Sequence, residues 1–266
     1  MPTTYAHYTF ASKVLKELND ELRESISKNI ELFNIGLHGP DILFYYKPLK
    51  SNKVNKLGNE IHKLNANIFF ENAKEIISSY DDSSKAFAYI AGFICHYMLD
   101  SQCHPYIRLK ENQISHNEIE TEFDRFIMLM DNLDPITFKP TSHIVPNIEN
   151  AKCISKFFSD TRPEEILESL KSMKLYLNIL VAPKAIPRAL LIGALKISGS
   201  NDKIDLIKKH SPNEECNEIN HELIKLYNEE IKPAALLIEK YYNMFGDAFI
   251  GGTNEKISER FNRNFG

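Results

Sequence analysis

His96, Asp100 and His104 stand four residues apart in one stretch of the chain, and His116 and Glu120 repeat that spacing a little further on. These are the donors that divalent metals use: a neutral imidazole offers one nitrogen lone pair, a carboxylate two oxygens. On a helix, a four-residue step advances about 40° around the axis and about 6 Å along it, so His96, Asp100 and His104 share a face. His96 and His104 are then about 12 Å apart, too far to bind one ion through bonds of about 2 Å. If all three ligate, there are at least two metals, with Asp100 bridging two ions or binding one. Asp124 follows Glu120 by one more turn. Two antiparallel helices would bring these faces together, a recognised way for a helical bundle to hold a multinuclear site.

A single pair of this kind is more often solvated or satisfied in a core. Two arrays so close together weigh differently, because the first sits in an apolar run, AFAYIAGFICHYML from Ala86 to Leu99. Unpaired polar groups buried there would be costly, and metal coordination would relieve that cost. Cys95 and Cys103 adjoin His96 and His104, but two buried small apolar side chains on a packed helix explain them more simply than soft metal ligands do.

The elements that must position these residues are helical. Glycine is scarce and apolar residues recur at three- and four-residue spacing, so an all-α fold with several helices is expected. Helices are predicted over Thr9–Ser27, Asn55–Ser79, Ser84–Tyr106, Ser115–Asn132, Pro163–Leu180, Pro183–Ser198 and Asn217–Asn243. Ser84 and Ser115 suit N-caps, Pro163 a first turn, and Pro233 a kink in the last helix. A loop over 132–150, rich in Pro and Asn, would join a site-bearing part (1–132) to a C-terminal helical part (151–250) within one domain spanning 1–266. The polar tail from Gly251 to Gly266 is expected to be poorly ordered.

The chain has 266 residues, 43% of them apolar, and can bury a sizeable core. A net charge of −4 with interspersed signs advertises neither nucleic acid nor anionic lipid. No segment approaches the roughly 20 apolar residues of a bilayer span, and the first residues lack a basic-then-apolar leader pattern, so a soluble cytoplasmic protein is expected. Four cysteines in such a chain read as reduced thiols.

Taken in order, His7, Asp41 in a Gly-Pro-Asp turn, His62, the run from His96 to Asp100, His104, and the run from His116 to Glu120 resemble the ligand set of zinc-dependent phospholipases C. The secreted single-strand nucleases share that plan. The resemblance covers about residues 5–124. It implies two to three zinc ions: His62, His96 and Asp100 on one, His104, His116 and Glu120 on a second, and Asp41 beside the water between them. A third ion in such enzymes takes an Asp matching Asp100, a His matching His7 and the free amino end. Removal of Met1 would leave the Pro2 amine five residues before His7. Only three residues separate Asp100 from His104, fewer than in the secreted enzymes, and this chain has no tryptophan.

The resemblance implies zinc-activated water attacking a phosphodiester, most simply a small or phospholipid-like one, with Asp41 positioning or deprotonating that water. A nuclease or nucleotidase would use the same metals but needs aromatic platforms and a positive groove. A non-catalytic metal-binding helical protein is the remaining alternative. His38 reads as lining the turn more readily than as a phosphate contact. Tyr5, Tyr8, Phe44, Tyr45 and Tyr46 read as core packing more readily than as a substrate wall. His143, His210 and His221 receive no role.

Overall fold

A computed structural model describes residues 4–246 and 259–265. Among the described residues the fold is all-α, with no strand and one isolated β-bridge between Asn65 and Asn264. The chain runs α1 (Thr4–Glu17), α2 (Asp20–Ser27), α3 (Ile30–Gly36), a 3₁₀ turn (Gly39–Tyr45), α4 (Lys53–Lys63), α5 (Ala66–Ser79), α6 (Ser83–Lys110) and α7 (His116–Met130). It continues through α8 (Ile148–Ser155), α9 (Pro163–Leu180), α10 (Ala185–Ile197), a 3₁₀ turn (Asn201–Leu206) and α11 (Asn217–Gly246).

Asparagines set more boundaries than hydrophobic periodicity shows. The helix expected over Thr9–Ser27 is two helices, because Asn19 turns the chain (ψ 157°) and its side chain caps α2 by accepting from the Leu22 N–H. The helix expected over Asn55–Ser79 is likewise two. Asn52 opens α4 with a capping box, and Asn65 caps α5 through the Asn67 N–H. Asn147 starts α8 inside what read as loop. Asp82, not Ser84, caps α6, and the Ser84 hydroxyl donates to it. Ser115 caps α7 as expected. Pro163 opens α9, and α11 continues as one helix through Pro233.

α6 is the central element. It packs against α3, α11, α1, α5 and α2, and residues from Ala86 to Ser101 are buried without a break. Two glycines let α3 lie against it. A Cβ on Gly92 would stand 2.1 Å from the Phe33 carbonyl oxygen, and one on Gly36 would stand 2.0 Å from that of Tyr89. Of the tail expected to be poorly ordered, residues 259–265 pack against the core instead. Residues 251–258 lie outside the described residues, but Phe261 and Phe265 are fully buried among Phe69, Phe70, Phe93 and Tyr97. Backbone pairing of Ala66 N–H with Arg263 O at 2.8 Å holds that segment against α5.

Candidate metal centre

All eight residues marked in the sequence converge. His96, Asp100 and His104 come from α6, His116 and Glu120 from α7, His7 from α1, His62 from α4, and Asp41 from the 3₁₀ turn. Three groups form, each with donor atoms within 4.8 Å of one another: His7, His96 and Asp100; Asp41, His62 and His96; His104, His116 and Glu120. The third group is the one the resemblance implies. The first keeps the His7–Asp100 pairing implied for a third ion and adds His96; the second departs from the resemblance, since Asp41 rather than Asp100 stands with His62 and His96. The Pro2 amine lies outside the described residues.

The contacts within the groups are short and polar. His7 Nε2 is 3.1 Å from Asp100 Oδ1, and His62 Nε2 is 3.0 Å from Asp41 Oδ1. His104 Nε2 and His116 Nε2 both face Glu120 Oε1, at 3.2 and 3.0 Å. His104 Nε2 is also 3.8 Å from Asp100 Oδ1, which links the third group to the first. Despite its short spacing from Asp100, His104 thus reaches the cluster.

Two observations test whether a metal fits. His96 is fully buried, 3.3 Å from Asp100 Oδ2, yet neither ring nitrogen has a hydrogen-bond partner among the described residues. His7 Nδ1 is likewise buried without one. Such atoms are costly unless something coordinates them. Second, the outward ring nitrogens of two histidines are already engaged. His62 Nδ1 donates to the Gly58 carbonyl at 2.7 Å, and His116 Nδ1 pairs with Glu111 Oε1 at 2.6 Å. That arrangement fixes the tautomer and aims Nε2 inward, as metal-binding histidines do. The donor set, nitrogen and carboxylate oxygen with no thiolate, suits zinc. The four cysteines are free and buried outside these groups, and burial pushes the Cys95 and Cys103 thiols up.

The electrostatics agree with a cation-binding centre. Asp41, Asp100 and Glu120 are buried, at 6%, 5% and 1% exposure, so their charges need cations nearby. Burial opposes their ionisation, but hydrogen bonds and charge from the facing histidines hold all three below the usual carboxylate range. Burial likewise pulls His7, His62 and His116 down, yet their carboxylate partners outweigh it and raise all three. His96 is lowered to about 4 by its burial, which keeps it neutral, with one ring-nitrogen lone pair to offer, at neutral pH.

Residues outside the eight hold them in place. Asp124 is not a donor to the centre. Its carboxylate accepts from the Ala6 and Tyr5 N–H groups, at 2.8 and 3.2 Å, and so ties down the first turn of α1 beside His7. Gly39 has φ +51°, and a Cβ there would stand 2.1 Å from the His96 ring, so glycine serves both the turn and the close approach. His143 does have a role: its Nε2 is 2.9 Å from His38 Nε2, and its ring stacks on Tyr8. His38 is therefore a buried partner of His143 rather than a phosphate contact. Glu111 closes α6 and could have been noticed as an acid five residues before His116.

The centre forms the floor of a cleft of about 940 Å³, into which Asp41, His62, Asp100, His104 and His116 open. Phe44 and Tyr45 line it, whereas Tyr5 donates to Asp131 and Tyr46 is buried, so the aromatic residues divide between wall and packing. The opposite wall comes from the C-terminal half: Tyr176, Ile179, Leu180, Leu191 and Leu195. No motif in that half signals this. Lys50, Lys56, Arg108 and Lys203 also line the cleft.

An all-α fold with three joined histidine–carboxylate groups at the base of an open cleft defines a helical protein with a candidate multinuclear metal centre. The sequence profile described as zinc dependent phospholipase C matches residues 6–172, and the chain belongs to that family. The match ends within α9, so α10 and α11 lie beyond it. No curated protein and no solved structure matches the chain.

Proposed function

We propose that the protein is a zinc-dependent phosphodiester hydrolase that cleaves a phospholipid-type substrate between phosphate and the diacylglycerol oxygen. The supporting observation is one juxtaposition: the histidine–carboxylate groups lie at the base of a cleft whose far wall is leucine and isoleucine. Zinc, when bound, acts as a Lewis acid that lowers the pKa of water and polarises phosphoryl oxygens.

The chain's own groups supply the rest. Asp41 is ionised at neutral pH and opens into the cleft, so it accepts a hydrogen bond from the attacking water and orients it. Held below the usual carboxylate range, it is a weak base whose main work is alignment. Lys50, Lys56 and Arg108 offer positive charge to phosphate or headgroup. The leucine side takes acyl chains out of water. Attack forms a bond from water oxygen to phosphorus and breaks the bond to the glycerol oxygen; the attacking water gives up a proton to solvent, and the departing oxygen takes one from solvent.

The test pairs zinc content with turnover. Protein purified without chelator is expected to hold two to three zinc equivalents, and Asp100→Asn and His116→Ala to hold fewer. Wild type is expected to hydrolyse bis(p-nitrophenyl) phosphate and to release diacylglycerol from a phospholipid. Zinc-loaded protein that turns over neither substrate would leave a non-catalytic metal-binding protein. Preference for single-stranded DNA would favour the nuclease reading.

A further inference from the structure

α10 is unlike every other long helix of the fold. Its sequence, AIPRALLIGALKI, makes it the most apolar of the described helices, α6 included, yet none of its residues is buried. It packs chiefly against the 3₁₀ turn Asn201–Leu206. Ile186, Leu190 and Ile197 are exposed to 76%, 70% and 91%. At 100° per residue these three fall within about 40° of one another, forming one outward stripe. Leu191 and Leu195 lie roughly 140–180° around the helix from Ile186, and they line the cleft. The helix therefore has two apolar faces, one toward the cleft and one toward solvent. Across the mouth, cleft-lining Leu49 is exposed to 78%.

We propose that the outward face of α10, together with Leu49, docks the protein on an anionic lipid surface, so that the cleft opens onto the membrane from which substrate is drawn. The inference rests on reading the cleft as a lipid phosphodiester site. Charge favours this occupant. From Val181 to Asn201 the chain carries Lys184, Arg188 and Lys196 and no acidic residue. Lys184 at the N-cap of α10 and Lys196 in its last turn are exposed near the two ends of the apolar stripe, where basic residues would meet headgroups. Lys50, Lys56 and Lys203 extend positive charge around the same opening. No described helix is long and apolar enough to cross a membrane, so α10 would lie on the surface rather than span it. Exposed apolar residues arranged as one stripe beside a site mark an interaction surface, where scattered ones would not.

The test is co-sedimentation with sucrose-loaded vesicles, either phosphatidylcholine alone or phosphatidylcholine with an equal part of phosphatidylglycerol. Full-length wild type is compared with Ile186→Ser/Leu190→Ser/Ile197→Ser and with Lys184→Glu/Lys196→Glu. Wild type is expected to partition onto the anionic vesicles at least tenfold better than the triple serine variant. The double glutamate variant should lose the preference for phosphatidylglycerol. Zinc content and turnover of soluble bis(p-nitrophenyl) phosphate should be unchanged in both variants, since none of the five residues lines the cleft. Wild type that stays in the supernatant with both vesicles overturns the proposal, as does a triple variant that binds like wild type or binding indifferent to vesicle charge. A wild-type dimer that the triple variant converts to monomer would also overturn it, assigning the face to a second copy. Turnover on the soluble diester reports separately on the catalytic reading, so either can fail alone.

Discussion

α6 and α10 are both apolar helices, and they stand at opposite extremes of burial. α6 buries every residue from Ala86 to Ser101, polar ones included, while α10 buries none. Each therefore carries atoms in an environment that does not suit them: His96 and Asp100 are polar groups in a core, and Ile186, Leu190 and Ile197 are apolar groups in water. Apolarity alone does not distinguish the two helices. Buried polar donors grouped on α6 suit a cation, and an exposed apolar stripe on α10 suits the surface proposed above, so the two helices point to partners of different chemistry.

The comparison breaks first at the scaffold. If α6 holds its histidines by close packing on α3, then Gly92→Ala must be severe. Its Cβ would meet a backbone carbonyl at 2.1 Å, which no rotamer change relieves. The expected loss exceeds the ~1–3 kcal/mol of ordinary overpacking, read by urea unfolding. It should come with loss of zinc, because the same helix carries His96, Asp100 and His104. A Gly92→Ala protein of wild-type stability would mean that α3 and α6 can part without cost, and the rigid base of the site would have to be abandoned.

The site was more legible in the sequence than the fold around it. His96, Asp100 and His104 announce themselves because a metal array on one helix must repeat every three or four residues, and local spacing records that. The grouping of Asp41 with His62 and His96 was not visible, since it depends on how the 3₁₀ turn Gly39–Tyr45 lies against α4 and α6. Helix breaks at Asn19 and Asn65 were missed because apolar periodicity runs across them, and only the capping asparagine marks the turn. The contribution of Leu191 and Leu195 had no local signal at all. An apolar residue on a helix reads as core until tertiary structure leaves it facing a cleft. The same holds for Phe261 and Phe265, whose polar neighbours made the chain end look unstructured.

A subtler contrast separates two buried histidines. His96 has no hydrogen-bond partner among the described residues, whereas His143 finds one in His38. His143 is faced by His38, Tyr8 and, at longer range, Lys174, with no carboxylate among them. Burial and Lys174 lower it from 6.5 to about 3, and burial and His143 lower His38 as well. A depressed histidine contributes stability that is present above pH 6.5 and is lost as pH falls toward its folded value. At pH 5 the unprotonated His143 costs the fold about 2 kcal/mol relative to an unfolded chain free to take up the proton. His143→Gln, compared with wild type in chelator at pH 7 and pH 5, should therefore lose less stability on acidification by about that amount. Parallel pH slopes would place His143 in contact with water.

The smallest effect is expected at the other extreme of the comparison. Ile197 is 91% exposed, so Ile197→Ser removes no packed contact and should leave thermal stability within about 0.5 kcal/mol of wild type. The substitution is informative because a buried isoleucine would behave differently: deleting its hydrocarbon from a packed site costs about 2 kcal/mol or more. A near-zero effect in dilute solution agrees with a face left open to water until a partner covers it. A loss above about 1.5 kcal/mol that grows with protein concentration would mean that the face is already covered by another copy of the chain. α10 would then belong with α6 among the packed helices, and the contrast between them would dissolve.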